Sequence, residues 1–155
     1  MYKKNKILGI IPARGGSKGL PKKNIKTFNG KPLIYWTMQS AQNSKFLDEI
    51  YISTDSNEIA DVVKDYGIHI PLMRPKELAK DDSPSHELII HAIDYFKSQN
   101  KSFDYVALLE PTSPLRKKDD IDNAIAKSNL VPLITVTGTM FAYFSILIVN
   151  FGDFS

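Results

Sequence analysis

Short apolar runs alternate along the chain with longer amphipathic segments. Four of these runs have the composition of strands buried inside a sheet: Ile7–Ile11, Glu49–Thr54, Tyr105–Leu109 and Leu133–Val136. A further short segment, His69–Pro71, is expected to form an edge strand. The pattern therefore predicts five strands separated by segments long enough to hold helices.

The intervening segments carry helix signals, either apolar residues at the helical spacing or residues that favour a helix start. We expect helices from Pro32 to about Asn43, from a capping box at Asp55 and Glu58 to Tyr66, from Ser83 past Phe96, and from Asp119 or Asp120 to about Asn129. Gly67 is placed to end the second helix.

This alternation predicts an α/β fold with an open, mainly parallel sheet and helices on both of its faces. We assign residues 1–137 to that domain and residues 138–155 to an atypical tail, because the alternation and the charges stop there. The tail is interpreted either as the non-native end of a truncated or frameshifted gene or as an unusual final strand. The first interpretation is favoured, so the sheet is expected to end on Leu133–Val136.

Composition narrows the choice of partners. The 155 residues carry a net charge of +3, which suits an anionic small ligand but is too weak and too evenly spread for nucleic acid. Cysteine is absent, so disulfides and thiolate metal sites are excluded, and a cytoplasmic location is compatible with this. No apolar run reaches the length of a membrane span, so we expect neither nucleic acid nor membrane as a partner.

Three polar loops leave the predicted strands at one edge of the sheet. They are Ala13–Asn24, Thr54–Asp55 and Glu110–Arg116. Because ligands of open parallel sheets bind at the carboxyl ends of the strands, these loops are expected to converge on one site.

The first loop has the composition of a phosphate cradle. Its glycines permit a tightly curled backbone, and its cations would pair with phosphate oxygens: Gly15, Gly16, Gly19, Arg14, Lys18, Lys22 and Lys23. It is not a Walker A loop, because Lys18 is followed by glycine rather than Ser or Thr. The alternative, a flexible basic turn, is weaker because the loop directly follows a buried strand.

Four ordered motifs resemble those of the acylneuraminate cytidylyltransferases, which are the CMP-sialic acid synthetases. The motifs are Ala13–Asn24, Ser53–Asp55, Arg74–Ala79 with Asp82–Ser85, and Leu108–Arg116, and the resemblance covers about residues 6 to 129. It implies a Rossmann-like fold of the nucleotide-diphospho-sugar transferase type, incomplete here at its C-terminus.

The resemblance also implies an activity. Family members transfer CMP from CTP to the anomeric hydroxyl of a 2-keto sugar acid, here N-acetylneuraminate or a relative, and release pyrophosphate with the help of Mg²⁺. Two alternatives stay open: a catalytically dead nucleotide-binding remnant, or a cytidylyltransferase for Kdo, legionaminic or pseudaminic acid.

The matched motifs imply roles for individual residues. Arg14 and Lys23 would be catalytic, by neutralising the phosphates. The nucleotide would be bound by Gly15, Gly16, Ser17, Lys18, Gly19, Asn24, Arg74 and Ser85. Glu110 and Asp55 are candidate contacts for substrate or metal, although Asp55 has a helix cap as an equal alternative. Glu110 stands where many members have glutamine, so its role is open.

Complete family members run well beyond 155 residues. The additional part supplies the paired aspartates that hold Mg²⁺, much of the sugar pocket and the dimerisation arm, and none of these is identifiable in this chain. No metal ligand is therefore assigned. The expected partners are CTP and a nonulosonic sugar acid, and the chain alone is expected to be catalytically poor.

Overall fold

The structure, a computed structural model, describes residues 1–17, 19–128, 134–137 and 145–150. Its strands are β1 Ile7–Pro12, β2 Thr27–Phe28, β3 Lys31–Pro32, β4 Glu49–Ser53, β5 Tyr105–Leu109, β6 Ile134–Thr137 and β7 Ser145–Asn150. Its α-helices are α1 Leu33–Gln42, α2 Asn57–Lys64, α3 Ser85–Ser98 and α4 Asp120–Ser128. Two short 3-10 turns lie at Lys23–Ile25 and Lys76–Ala79.

Five strands form one sheet in the order β4-β1-β5-β7-β6. β1 pairs in parallel with β4 on one side and with β5 on the other. β7 runs antiparallel to both β5 and β6, so β6 points in the same direction as β5 without touching it. The predicted mainly parallel sheet is confirmed.

β7 corrects the expectation for the C-terminal tail. The predicted Leu133–Val136 strand, observed as β6, is an edge of the sheet as expected, but it does not pair with β5, because Ser145–Asn150 inserts between them. Its sequence, SILIVN, is rich in β-branched residues and short enough for a strand buried within a sheet. Of the two interpretations of the tail, the unusual final strand matches this segment, and the domain boundary at residue 137 stays a prediction.

Helices cover both faces of the sheet, as predicted. Alternate residues of β1 point to opposite faces, so Ile7 and Ile11 pack with α1, α2 and α4, whereas Leu8 and Ile10 pack with α3. These side chains are fully buried. Packing on both faces explains why the strand sequences lack polar alternation.

Two predicted helix starts differ from the structure. Ser56, and not Asp55, caps α2, because its hydroxyl accepts the Ile59 N–H at 3.4 Å. α3 begins at Ser85 after Pro84, and the Ser83 hydroxyl instead donates to the Glu77 carbonyl. The helices themselves lie where the periodicity places them. Asn129, the expected end of the last one, lies outside the described residues.

The predicted edge strand at His69–Pro71 is wrong. Residues 69–71 form no strand, and the chain meets β4 and the residue after it only beyond them, through single hydrogen bonds from the Tyr51 hydroxyl to the Leu72 carbonyl and from the Arg74 N–H to the Thr54 carbonyl. Two isolated bonds do not make a ladder.

The longest described helix has 14 residues, and none in the described part of the chain has the length and apolar character needed to cross a bilayer.

We predict that Gly67→Ala lowers the free energy of unfolding by about 1–2 kcal/mol. Gly67 adopts a φ of +83° just after α2, where it follows the last turn and no neighbouring atom obstructs a Cβ. Backbone strain is therefore the only cost. Gly19→Ala is the control, because Gly19 also faces open space but does not have a positive φ. Urea denaturation of both variants measures the difference, and equal stabilities would contradict the assignment of strain to Gly67.

Candidate active site

A cleft opens at the carboxyl end of the parallel strands. One wall comes from the loop after β1, the opposite wall from the segment between Arg74 and Leu88, and the floor from the loop after β5. Its lining residues are Pro12, Arg14, Ser17, Lys23, Asn24, Arg74, Leu78, Lys80, Asp81, Ser83, Ser85, Leu88, Glu110, Pro111 and Thr112. The cleft lies at the edge where open α/β sheets bind their ligands.

Most of the sequence-predicted site residues meet in this cleft. Those that line it are Arg14, Ser17, Lys23, Asn24, Arg74, Ser85 and Glu110. Among the other candidates, Gly15, Gly16, Gly19 and Asp55 do not line it, and Lys18 lies outside the described residues. The structure thus brings together residues that are up to 96 positions apart in the chain.

Asp55 holds the glycine loop from behind. Its Oδ1 accepts the Gly15 N–H at 2.8 Å, and a Cβ added to Gly15 would stand 2.9 Å from the Cβ of Ser56. Gly15 is therefore needed for close approach, whereas Gly16 faces open space. The side-chain amide of buried Asn24 donates to the Arg14 carbonyl at 3.1 Å and closes the loop on itself.

The neighbouring lysines of the loop point to different surroundings. Lys22 adopts a φ of 54°, and its Nζ pairs with the Glu58 carboxylate at 2.9 Å on the protein surface. Lys23 begins the following 3-10 turn and lines the cleft. Lys22 is thus a solvated neighbour outside the cleft, contrary to its inclusion among the phosphate-pairing cations, and Lys23 is the lysine that faces the cleft.

Arg74 ties the second wall to the end of β4. The side chain is only 5% exposed, and its Nε donates to the Ser53 hydroxyl at 2.8 Å. A second N–H donates to the Ser53 carbonyl, and Nη1 reaches the Leu78 carbonyl at 3.5 Å. Burial lowers the pKa of the Arg74 guanidinium, an effect that the Asp55 carboxylate opposes. Several hydrogen-bond donors of this guanidinium are therefore occupied by partners within the protein.

Arg116 fixes the floor of the cleft. Its guanidinium donates to the Thr37 hydroxyl at 3.0 Å and to the Glu110 carbonyl at 3.3 Å. Burial lowers the pKa of Arg116 to about 10, and the nearby Asp120 carboxylate opposes the shift. Arg116 thus interacts electrostatically with Asp120 in addition to these hydrogen bonds.

Glu110 presents its carboxyl group to the cleft from this fixed backbone. Burial raises the pKa of that carboxyl group above its ordinary value, while Lys23, Arg116 and Arg74 oppose the shift. At a given pH, the protonated form of this carboxyl group is therefore more populated than that of an exposed glutamate.

Charge in the cleft favours an anion. Among the described lining residues, the cations Arg14, Lys23, Arg74 and Lys80 outnumber the acids Asp81 and Glu110. α3 also begins at the cleft, and the first turn of a helix offers unpaired N–H groups to negatively charged ligands.

The second wall contains residues that sequence analysis missed. Lys80 and Asp81 lie between the motifs Arg74–Ala79 and Asp82–Ser85, and Ser83 was expected to start a helix, so none of the three was a site candidate. The clustered charges at Lys80, Asp81 and Asp82 were the available signal. These charges do not reveal that Lys80 and Asp81 line the cleft and that Asp82 does not.

Comparison with known proteins gives a family for this arrangement. The model of the family described as "Cytidylyltransferase" matches residues 8–134. The chain belongs to the cytidylyltransferase family. The matched range includes both walls and the floor of the cleft, so the resemblance seen in the motifs is confirmed.

The family relatives act on different sugar acids, according to their names. The chain is 44% identical over 122 residues to the pseudaminic acid cytidylyltransferase of Campylobacter jejuni, covering 79% of this chain and 53% of the relative. It is 45% identical over 120 residues to the CMP-N,N'-diacetyllegionaminic acid synthase of Legionella pneumophila, covering 77% and 52%. The chain therefore spans about half the length of these cytidylyltransferases.

A solved structure supports the fold. A CMP:2-keto-3-deoxy-manno-octonic acid synthetase in complex with CTP superposes with a TM-score of 0.70 over 94% of this chain and 74% of that chain, at 17% identity. The Rossmann-like architecture expected for a cytidylyltransferase is confirmed.

We predict that Gly15→Ala weakens binding of inorganic triphosphate by roughly tenfold, whereas Gly16→Ala changes it by less than about twofold. The added Cβ at Gly15 meets the backbone-fixed Cβ of Ser56, so the loop and its hydrogen bond to Asp55 must shift. Calorimetric titration measures both variants. Similar affinities would show that the close approach does not position the loop.

The raised pKa of Glu110 predicts a dependence of stability on pH. The folded protein holds a proton there more tightly than the unfolded chain, so wild-type stability falls as pH rises through the window between the ordinary and the raised pKa. Glu110→Gln removes this group. The free energy of unfolding of the variant minus that of the wild type should therefore increase across that window and stay constant below it. Urea denaturation over a pH series tests this, and a difference that does not vary with pH would contradict it.

Proposed function

We propose that this chain forms the nucleotide-binding part of an enzyme that transfers CMP from CTP to a nonulosonic sugar acid and releases pyrophosphate. The observation that carries the proposal is the convergence of Arg14, Lys23, Asn24, Arg74 and Ser85 on one cation-lined cleft. Membership of the cytidylyltransferase family supplies the reaction class.

In this proposal the protein works by positioning and charge neutralisation. The anomeric hydroxyl of the sugar attacks the α-phosphorus of CTP, a new P–O bond forms, and the bond to pyrophosphate breaks. Negative charge builds up on the leaving phosphates, where Arg14 and Lys23 are placed to neutralise it. The rigid loop around Gly15 keeps these cations in position before the nucleotide arrives.

Arg74 and Ser85 are proposed to hold the cytidine portion. Both belong to the second wall, opposite the cations of the glycine loop. Arg74 is held rigidly by Ser53, so a contact with the nucleotide would need little reordering. Ser85 adds a hydroxyl at the first turn of α3.

The sugar is proposed to be a nonulosonic acid. The relatives named above act on pseudaminic and legionaminic acids, and the motifs resemble those of enzymes for N-acetylneuraminate. Glu110 is the candidate residue for telling these sugars apart, because a carboxylate accepts hydrogen bonds from hydroxyl groups and cannot donate one. A panel of these acids in the presence of CTP would identify the acceptor.

Mg²⁺ is part of the proposal as a family property. The described residues contain no group of three or more acidic or histidine side chains that could hold a metal ion. Mg²⁺ in nucleotide sites is commonly bound by one or two carboxylates together with substrate phosphates, and Glu110 fits the role of such a carboxylate. When bound, the ion would neutralise charge on the leaving phosphates. Asp55 fits this role less well, because it accepts the Gly15 N–H.

Binding preference is the first test, because it needs only the part of the enzyme described here. We predict that the chain binds CTP more tightly than ATP in calorimetric titration with Mg²⁺ present. The shared triphosphate cancels between the two ligands, so the difference reports the contacts of the base with the second wall. Equal affinities would contradict the proposed cytidine site.

The same titration with variants tests the phosphate contacts. Arg14→Ala and Lys23→Ala should each weaken CTP binding by about 1.5–3 kcal/mol, the cost of a lost charge-assisted contact. Lys22→Ala is the matched control, because Lys22 carries the same charge but pairs with Glu58 outside the cleft. If all three variants lose the same affinity, the effect is one of net charge and the proposed contacts are wrong.

A further inference from the structure

An ion pair joins the two walls of the cleft. The guanidinium of Arg14, on the glycine loop, pairs through Nη1 with the carboxylate of Asp81, on the second wall. Both side chains line the cleft, and they are 32% and 31% exposed. The pair therefore occupies the space through which an anionic ligand would reach Arg14.

Asp81 and a phosphate group offer Arg14 the same kind of partner. The planar fork of a guanidinium binds carboxylate and phosphate oxygens through the same N–H donors. A triphosphate that binds at Arg14 must therefore replace Asp81 or share Arg14 with it. It also meets the negative charge of Asp81, which lines the same cleft.

We propose that Asp81 competes with the phosphate groups of the nucleotide for Arg14 and thereby sets the affinity of the cleft. This inference rests on the proposed function in one respect, namely that phosphates bind beside Arg14. Asp81 acts as an internal counter-ion, which pairs with Arg14 before the ligand binds and returns to Arg14 when the phosphates leave.

The second wall does not depend on this ion pair for its position. The Arg74 N–H donates to the Thr54 carbonyl at 2.7 Å, and its guanidinium is bound by Ser53. The Ser83 hydroxyl donates to the Glu77 carbonyl at 3.1 Å within the same segment. Breaking the contact between Arg14 and Asp81 can therefore release the mouth of the cleft without unfolding the wall.

The test is titration of Asp81→Asn with inorganic triphosphate, a probe that carries no base or sugar. Removing the competing charge should tighten binding by roughly two- to fivefold, the range expected for a partly exposed ion pair. Asp82→Asn is the matched control, since Asp82 is an exposed neighbour of equal charge that does not line the cleft. Asp81→Asn binding no tighter than Asp82→Asn would overturn the proposal.

A double-mutant cycle separates competition for Arg14 from simple charge repulsion. In an Arg14→Ala background, Asp81→Asn should increase the affinity for triphosphate clearly less than it does in the wild-type protein, because Arg14 is no longer there to compete for. An undiminished gain would show that Asp81 only repels the ligand, and would overturn the proposal.

Hydrogen exchange without any ligand gives a second readout. Asp81→Asn should speed exchange in residues 78–85, and Asp82→Asn should not. Unchanged exchange in both variants would contradict a link between the two walls through this pair. If CTP shows no preference over ATP while Asp81→Asn still tightens triphosphate binding, the cytidylyltransferase proposal fails and the competition stands. If CTP is preferred over ATP but Asp81→Asn does not tighten triphosphate binding, the competition is wrong and the cytidylyltransferase proposal stands.

Discussion

The carboxyl end of β4 anchors both walls of the cleft. The Ser53 carbonyl accepts the Ala13 N–H at 2.9 Å where the glycine loop begins, and the Asp55 carboxylate accepts the Gly15 N–H two residues later. On the other side, Ser53 and Thr54 bind Arg74. Because Ser53 and Thr54 are fully buried, these hydrogen bonds are shielded from water. The separation of the two walls is therefore fixed by one short segment.

The sequence was most informative where packing depends on local pattern. β1 and β5 are buried on both faces, so their apolar runs predicted them within a residue. It was least informative where contacts distant along the chain determine the role of a side chain. The Asp55 carboxylate could cap a helix, but it accepts the Gly15 N–H, and Ser56 caps α2 instead. β7 was missed as part of the sheet because an apolar run does not show where in the strand order it inserts.

One element that was not predicted, the β2–β3 hairpin, did have a marker in the sequence. Asn29 and Gly30 both adopt positive φ between β2 and β3, and such a dipeptide is a strong hairpin marker that was not used. In the cleft, motif matching identified Arg14, Lys23 and Arg74, but the roles assigned from motifs say nothing about internal partners. Arg74 is extensively hydrogen-bonded within the protein. Asp81 could not be placed from sequence because the path of an irregular segment depends on contacts distant along the chain.

In the proposed reaction, the two acids of the cleft would limit how tightly phosphate groups bind. A cleft lined only by cations would bind substrate triphosphate and product pyrophosphate alike, and uniform tight binding does not raise the rate of the chemical step. Glu110 sits on a backbone that Arg116 fixes, so its carboxyl group belongs to the preformed floor of the cleft. Asp81 lies on an irregular segment and pairs with the very cation that phosphate needs. An acid that can return to Arg14 lowers the cost of releasing the product, because the cation is not left unpaired when the phosphates depart.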